Sequence, residues 1–348
     1  MQTDIALPDG TRLAHAFNPG IAISSDGRTL SFVAGEPPAD YVAGVLSLSF
    51  GGERLVRRLA DPEPVPVTGA SGGHQPVFSP DGTRLAYVHP ERRRIETIPI
   101  TGGTPVPVHE YDREIFGLDW TSDGRIVFGT REGLRSIPES GGLETTVTTL
   151  EPTTDLRAHA FPHSLPSDRG TLFITPHNSG DTTRVPLMVV DHETGEIRQL
   201  LNASSNAQYI GGAIVFVRST VLHSVPFDLE ELQFSGPPRP LGLDVVQSLE
   251  GPNAALENGV AQFVVSRTGT LAYAPGGVYP SPPRDIGWVS REGSFESVGF
   301  DPRAYVAPRL APDGIRIAAG VDHISESGLW VRDAERGVSQ TILTRSPI

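Results

Sequence analysis

Apolar residues recur at every second position in short runs down this chain, and each run follows a polar turn. The runs include Thr29-Leu30-Ser31-Phe32-Val33, Arg84-Leu85-Ala86-Tyr87-Val88, Arg125-Ile126-Val127-Phe128, Thr171-Leu172-Phe173-Ile174 and Ala213-Ile214-Val215-Phe216-Val217. Thr270-Leu271-Ala272-Tyr273 and Ile315-Arg316-Ile317-Ala318 continue the series. A period of two is the strand period, because successive side chains of a strand point to opposite faces. The turn ahead of each run carries a repeated phrase. It is complete in Ser79-Pro80-Asp81-Gly82 and Ala311-Pro312-Asp313-Gly314, and looser in Ser24-Ser25-Asp26-Gly27 and Thr121-Ser122-Asp123-Gly124. Worn copies are Pro166-Ser167-Asp168-Arg169-Gly170, Gly211-Gly212 and Ser266-Arg267-Thr268-Gly269. Asp-Gly between apolar runs is a strong hairpin signal, since both residues tolerate the backbone angles that tight turns need.

The last glycine of each copy falls at 27, 82, 124, 170, 212, 269 and 314. Spacings of this size mark a repeat architecture. A third apolar run follows each hairpin, at Leu46-Leu48, Ile95-Ile98, Leu134-Ile137, Leu187-Val190, Val221-Val225, Ile286-Val289 and Leu329-Val331. A shorter fourth run closes the unit, as in Val106-Pro107-Val108, where proline suits an edge strand. One such sheet cannot bury both of its faces alone, so neighbouring units must supply the core. The expectation is an all-β, seven-bladed β-propeller of four-stranded antiparallel blades. Its blades fall near 19–68, 73–110, 114–150, 157–204, 206–247, 259–303 and 304–346. Residues 1–18 form an extension, in which Asp4-Ile5-Ala6-Leu7 is a candidate ring-closing strand against the last blade. The Gly35–Ala43 insertion and Pro280-Ser281-Pro282-Pro283 read as long loops.

Composition narrows function by exclusion. The net charge of −13 disfavours nucleic acid and anionic membranes as partners. No apolar run approaches the roughly 18 residues of a membrane span, so no membrane insertion is expected. Met1-Gln2-Thr3-Asp4 lacks a basic leader region and no apolar stretch follows. The chain as given therefore reads as soluble and cytoplasmic, or as periplasmic or extracellular if a leader or upstream domain was removed. Cysteine is absent, and all 28 basic residues are arginine. Disulfides, thiolate metal sites, cysteine nucleophiles and lysine Schiff bases are excluded. Gly69-Ala70-Ser71-Gly72-Gly73 has the form of a nucleophile elbow but joins two blades instead of a strand and a helix.

Candidate site residues are those that lead into the innermost strands, where each blade faces the central channel. They are His74 and Gln75, Asp119, His159, Gln262, and Arg303 with Tyr305. Two histidines with an aspartate or glutamine suffice for a divalent ion, with His74 and His159 as the candidate metal ligands. The plainer alternative is a polar tunnel that binds water and needs no cofactor. His159 and His163 cannot share an ion on one regular strand, because four residues span about 13 Å.

The stretch Gln75-Pro76-Val77-Phe78-Ser79-Pro80-Asp81-Gly82-Thr83-Arg84-Leu85-Ala86-Tyr87-Val88 resembles the repeat of TolB-like propellers, also called PD40 or WD40-like repeats. Val225-Pro226-Phe227-Asp228-Leu229-Glu230-Glu231-Leu232 and Ala261-Gln262-Phe263-Val264-Val265-Ser266-Arg267-Thr268-Gly269 look like the propellers appended to bacterial serine/threonine protein kinases. No kinase motif is present in this chain. The resemblance implies a module that binds a protein, peptide or glycan ligand through one rim and the channel mouth. The alternative it leaves open is a propeller enzyme, a polysaccharide lyase or lactone hydrolase, with a divalent metal on the axis.

Overall fold

The structure is a computed structural model that describes residues 4–8, 11–13, 18–35, 52–151, 154–178, 185–202, 205–249, 258–279, 285–301, 303, 305–321 and 327–345. It divides into two compact units, Met1–Gly277 and Val278–Ile348. Both are built from antiparallel strands, with a single short 3-10 turn at Pro166–Asp168 among the described residues.

In the first unit the second repeat shows the plan. His74–Phe78, Arg84–His89, Arg94–Pro99 and Val106–Glu110 pair in sequence order as one four-stranded sheet. Leu118–Trp120, Arg125–Thr130, Gly133–Pro138 and Thr145–Thr146 repeat it, as do Ala160–Ser164, Gly170–Ile174, Leu187–Asp191 and Ile197–Leu201. The fifth repeat runs Gln208–Ile210, Ala213–Arg218 and Val221–Asp228, and pairs the last of these with both Gln233–Phe234 and Arg239–Asp244. The sixth contributes the hairpin Phe263–Val265 with Leu271–Tyr273.

The sheets share cores, as expected of units that cannot bury both faces alone. Ala86, Val88 and Ile95 of the second repeat pack with Leu118, Trp120 and Phe128 of the third. Val215, Val217 and Leu222 of the fifth pack with Ala261 and Phe263 of the sixth. Ala22 and Val56 of the first pack with Phe78, Leu85 and Tyr87 of the second.

The two copies of the phrase that open on serine are held alike. Gly82 sits at φ +71°, the Gly82 N–H donates to Ser79 O at 2.8 Å, and Asp81 Oδ1 accepts from Ser79 Oγ at 2.5 Å and from Thr83 N at 3.0 Å. Asp26 repeats these bonds with Ser24 and Arg28. These donors hold both carboxyls below the usual carboxylate range.

Three expectations change. The third strand of the first repeat is Glu53–Arg58, paired with Thr29–Gly35, and Val65–Pro66 is the fourth. The run Leu46–Leu48 and the insertion after Gly35 lie outside the described residues. Asp4–Leu7 is not a strand: Ile5 and Leu7 pack against Phe32, Ala34 and Leu55 of the first sheet, and Arg12–Leu13 pairs with that same sheet.

The third change concerns closure. Seven copies of the phrase exist, yet in the first unit the sixth repeat meets the first directly. Gly20 N donates to Gln262 Oε1 at 2.8 Å, Gln262 Nε2 donates to Asn18 O at 2.9 Å, and Thr268 Oγ1 donates to Asp26 O at 3.0 Å. Six innermost strands therefore surround one channel. The seventh repeat forms its own four-stranded sheet in the second unit, from Tyr305–Leu310, Arg316–Val321, Ser327–Asp333 and Val338–Arg345. The hairpin Gly287–Val289 with Phe295–Ser297 also belongs to that unit.

Candidate binding channel

The channel of the first unit encloses about 540 Å³ and is lined by the innermost strands of repeats one to six. Its wall is held by one recurring device, a polar side chain on one inner strand bonded to the backbone of the next. Gln75 Oε1 accepts from Gly117 N at 2.5 Å, while its Nε2 donates to Asn18 Oδ1 at 2.7 Å. Asp119 Oδ2 accepts from Ser164 N at 2.6 Å. Asn206 Oδ1 accepts from Ala261 N at 2.8 Å, and Gln208 Oε1 from Val265 N at 2.7 Å. Gln262 completes the circuit to Gly20. Inner strands leave edge N–H groups facing the axis, and a buried N–H without a partner costs about 1–3 kcal/mol.

The predicted site residues divide on this basis. Gln75 and Asp119 line the channel. Gln262 is buried in the joint between the sixth and first repeats. His74 and His159 line no part of the channel and are not brought together. His159 Nδ1 shares a 2.7 Å hydrogen bond with Thr148 Oγ1, and its ring packs 4.6 Å from that of Phe173. Burial pushes His159 down to about 4, and burial with Arg54 and His89 nearby does the same to His74. Arg303 and Tyr305 lie in the second unit, where Arg303 stacks 5.2 Å over Trp330 and Tyr305 Oη donates to Asp301 O at 2.7 Å. Among the described residues no three His, Asp or Glu side chains converge as a metal site.

A β-bulge explains why His163 faces the channel and His159 does not. The register of Ala160–Ser164 shifts between Ala160 and His163, with Phe161 at φ +52°. One extra residue inverts the alternation, so two histidines four apart look to opposite sides. The second repeat has the same bulge between His74 and Val77, with Gln75 at φ +55°. His163 and Arg267 are the site residues that sequence reasoning missed. The signal for Arg267 was present: it replaces the small or proline residue that precedes Asp in the other copies of the turn. Burial pulls the His163 pKa down, Asp119 opposes this, and Arg267 adds to it. Arg267 lines the channel as an exposed guanidinium, and no ion pair engages it among the described residues.

The fourth copy of the turn is built differently. The extra residue in Pro166-Ser167-Asp168-Arg169-Gly170 moves glycine out of the turn, and Ser167 and Asp168 take φ +57° and +56° instead. Non-glycine residues held there carry strain of order 1–3 kcal/mol each. The Asp168 carboxylate, released from its own turn, accepts from His192 Nδ1 at 2.7 Å and stands on the channel rim.

Fold and site together define a β-propeller with a polar axial channel. No family model matches the chain. The dipeptidyl-peptidase 5 of Arthroderma benhamiae is 32% identical over 127 residues, covering 32% of this chain and 17% of that protein. That of Trichophyton equinum is 31% identical over the same shares. The match thus takes in about a sixth of those relatives' length. Among solved structures, TolB from Acinetobacter baumannii is 17% identical with a TM-score of 0.43, over 76% of this chain and 64% of that one. An oligogalacturonate lyase in complex with manganese is 12% identical with a TM-score of 0.44, over 96% and 78%. No helix among the described residues is long and apolar enough to cross a membrane.

Proposed function

We propose that this chain is a TolB-like binding module that takes a short segment of a protein or peptide ligand into the channel mouth. The supporting observation is the channel itself, a cavity of about 540 Å³ whose mouth carries Arg267 beside His163, with Asp123 and Asp168 on the rim. Such a mouth offers a carboxylate partner and ammonium partners within one opening, the chemistry of a mixed-charge peptide. A glycan is less well served. Trp120 is 5% exposed with its indole N–H on Glu139 at 2.9 Å, and of the lining aromatics only Tyr209 is not buried. The module belongs with the appended propellers of the kinase resemblance, as a recognition surface.

A peptide array probed with the intact chain and with Arg267→Glu tests the reading. Peptides bound by the intact chain should include acidic sequences whose signal falls at least tenfold in the variant. Binding that is unchanged in the variant, or confined to a glycan array, would overturn it.

A further inference from the structure

The glycine-rich linker between the first two sheets plays no part in the channel, yet basic groups gather on it. Arg54, from Glu53–Arg58, is 1% exposed. Its Nη2 donates to Gly73 O at 2.7 Å, and its guanidinium stands 5.1 Å from the centroid of the Tyr87 ring. Its Nε and Nη1 are buried and have no hydrogen-bond partner among the described residues, and the same holds for Nδ1 of His74. His89 is 5% exposed and accepts the Arg92 N–H at Nδ1, at 3.3 Å, which puts its own proton on Nε2. That edge faces Gly72, where a Cβ would lie 3.6 Å from both Cε1 and Nε2. Glu96 is the buried acid in the adjoining strand, and it is already engaged by Tyr87 Oη at 3.1 Å and by Arg92 at 3.4 Å.

We propose that Arg54, His74 and His89 form a binding site for a small inorganic monoanion of chloride's size, held on the Gly72–Gly73 linker between the first and second sheets. A fully buried cation needs a counter-charge and acceptors for its N–H groups. A monoanion supplies both, taking hydrogen bonds from Arg54 and from Nε2 of His89. His74, neutral, presents Nδ1–H in one tautomer. Size follows from the packing. A Cβ at Gly73 would lie 2.2 Å from Cδ2 of Tyr87, so the linker backbone is pressed against that ring, and packing this close favours a small ion. The electrostatics agree: burial brings Arg54 down to about 10, and burial, Arg54 and His89 bring His74 down to about 4. The bound ion would join a strand of the first sheet to the second sheet, so its binding is linked to folding.

The test is the melting temperature of the full chain at constant ionic strength, with chloride replaced stepwise by gluconate. The expected result is a Tm that rises by an equal increment for each tenfold of chloride once the site is mostly filled, with bromide acting alike. Arg54→Met should lose all distinction between chloride and gluconate. Equal wild-type melting in the two salts overturns the proposal, and so does a chloride response that survives in Arg54→Met. Should that variant fail to fold, crystals of the wild-type chain soaked in bromide decide the matter. An anomalous peak beside Arg54 Nε supports the site, and an empty map there refutes it.

Discussion

Gln262→Ala is the sharpest test of how the first unit closes. Gln262 is 1% exposed and spans the joint between the sixth and first repeats, accepting from Gly20 N at 2.8 Å and donating to Asn18 O at 2.9 Å. Truncation leaves the buried Gly20 N–H without an acceptor, at about 1–3 kcal/mol, and removes the bond to Asn18, worth about 0.5–1.5 kcal/mol. The two together give a destabilisation of about 1.5–4.5 kcal/mol, measured as the shift of the urea midpoint with an unchanged slope. Gln262→Glu separates the two bonds. It keeps an acceptor for Gly20 but sets a carboxylate oxygen against the Asn18 carbonyl, so it should be harmful at neutral pH and partly rescued by acid. If the seventh repeat stood between the sixth and the first, Gln262 would not reach Gly20. Its loss would then read as a surface change of within about 0.5 kcal/mol. A measured effect below 1 kcal/mol therefore refutes the six-repeat closure.

Three further outcomes follow from the same contacts. With no native cysteine to interfere, Asp26→Cys combined with Thr268→Cys should be joined by a short bismaleimide under native conditions, seen as a shift in gel mobility; failure to cross-link would place the two turns apart. The folded-state pKa of His159 lies near 4, below its unfolded value of about 6.5, so its contribution to stability is complete above pH 6.5 and is lost as pH falls towards 4. That loss amounts to about 3 kcal/mol, with a smaller share from the partly exposed His74, and His159→Leu should flatten the acid limb of Tm against pH. Gly73→Ala drives a Cβ to 2.2 Å from the Tyr87 ring and should cost about 2 kcal/mol or more in urea denaturation, whereas alanine at Gly195, which meets nothing within 4 Å, should cost only the strain of its φ of +73°.

Much of the fold could be read in the sequence because the same local rule acts at every repeat. A period-two run after an Asp-Gly turn specifies a hairpin wherever it occurs, and Thr29–Gly35, Arg84–His89, Arg125–Thr130 and Ala213–Arg218 all lie where the pattern put them. The site was harder to read because it depends on interruptions of that rule. An even spacing puts His159 and His163 on one face, and only the bulge at Phe161, invisible to periodicity, turns them apart. Closure is harder still. A count of turns gives the number of repeats, but which repeat meets the first depends on long-range bonds such as that between Gln262 and Gly20, separated by 242 residues. The polar residues at the head of each inner strand carry that information. Gln75, Asp119 and Gln262 stand out in the sequence as departures from an apolar pattern, and a binding site is one reason for a polar group to be there; Asn206 and Gln208 do the same work without having been singled out. The structure supplies another, since each one satisfies an N–H of the next inner strand. A polar residue already committed to the wall cannot also greet a ligand without loosening the joint it holds. The groups free to do so are those the wall does not use, which is why Arg267, and not the histidines first singled out, is the place to look for a ligand.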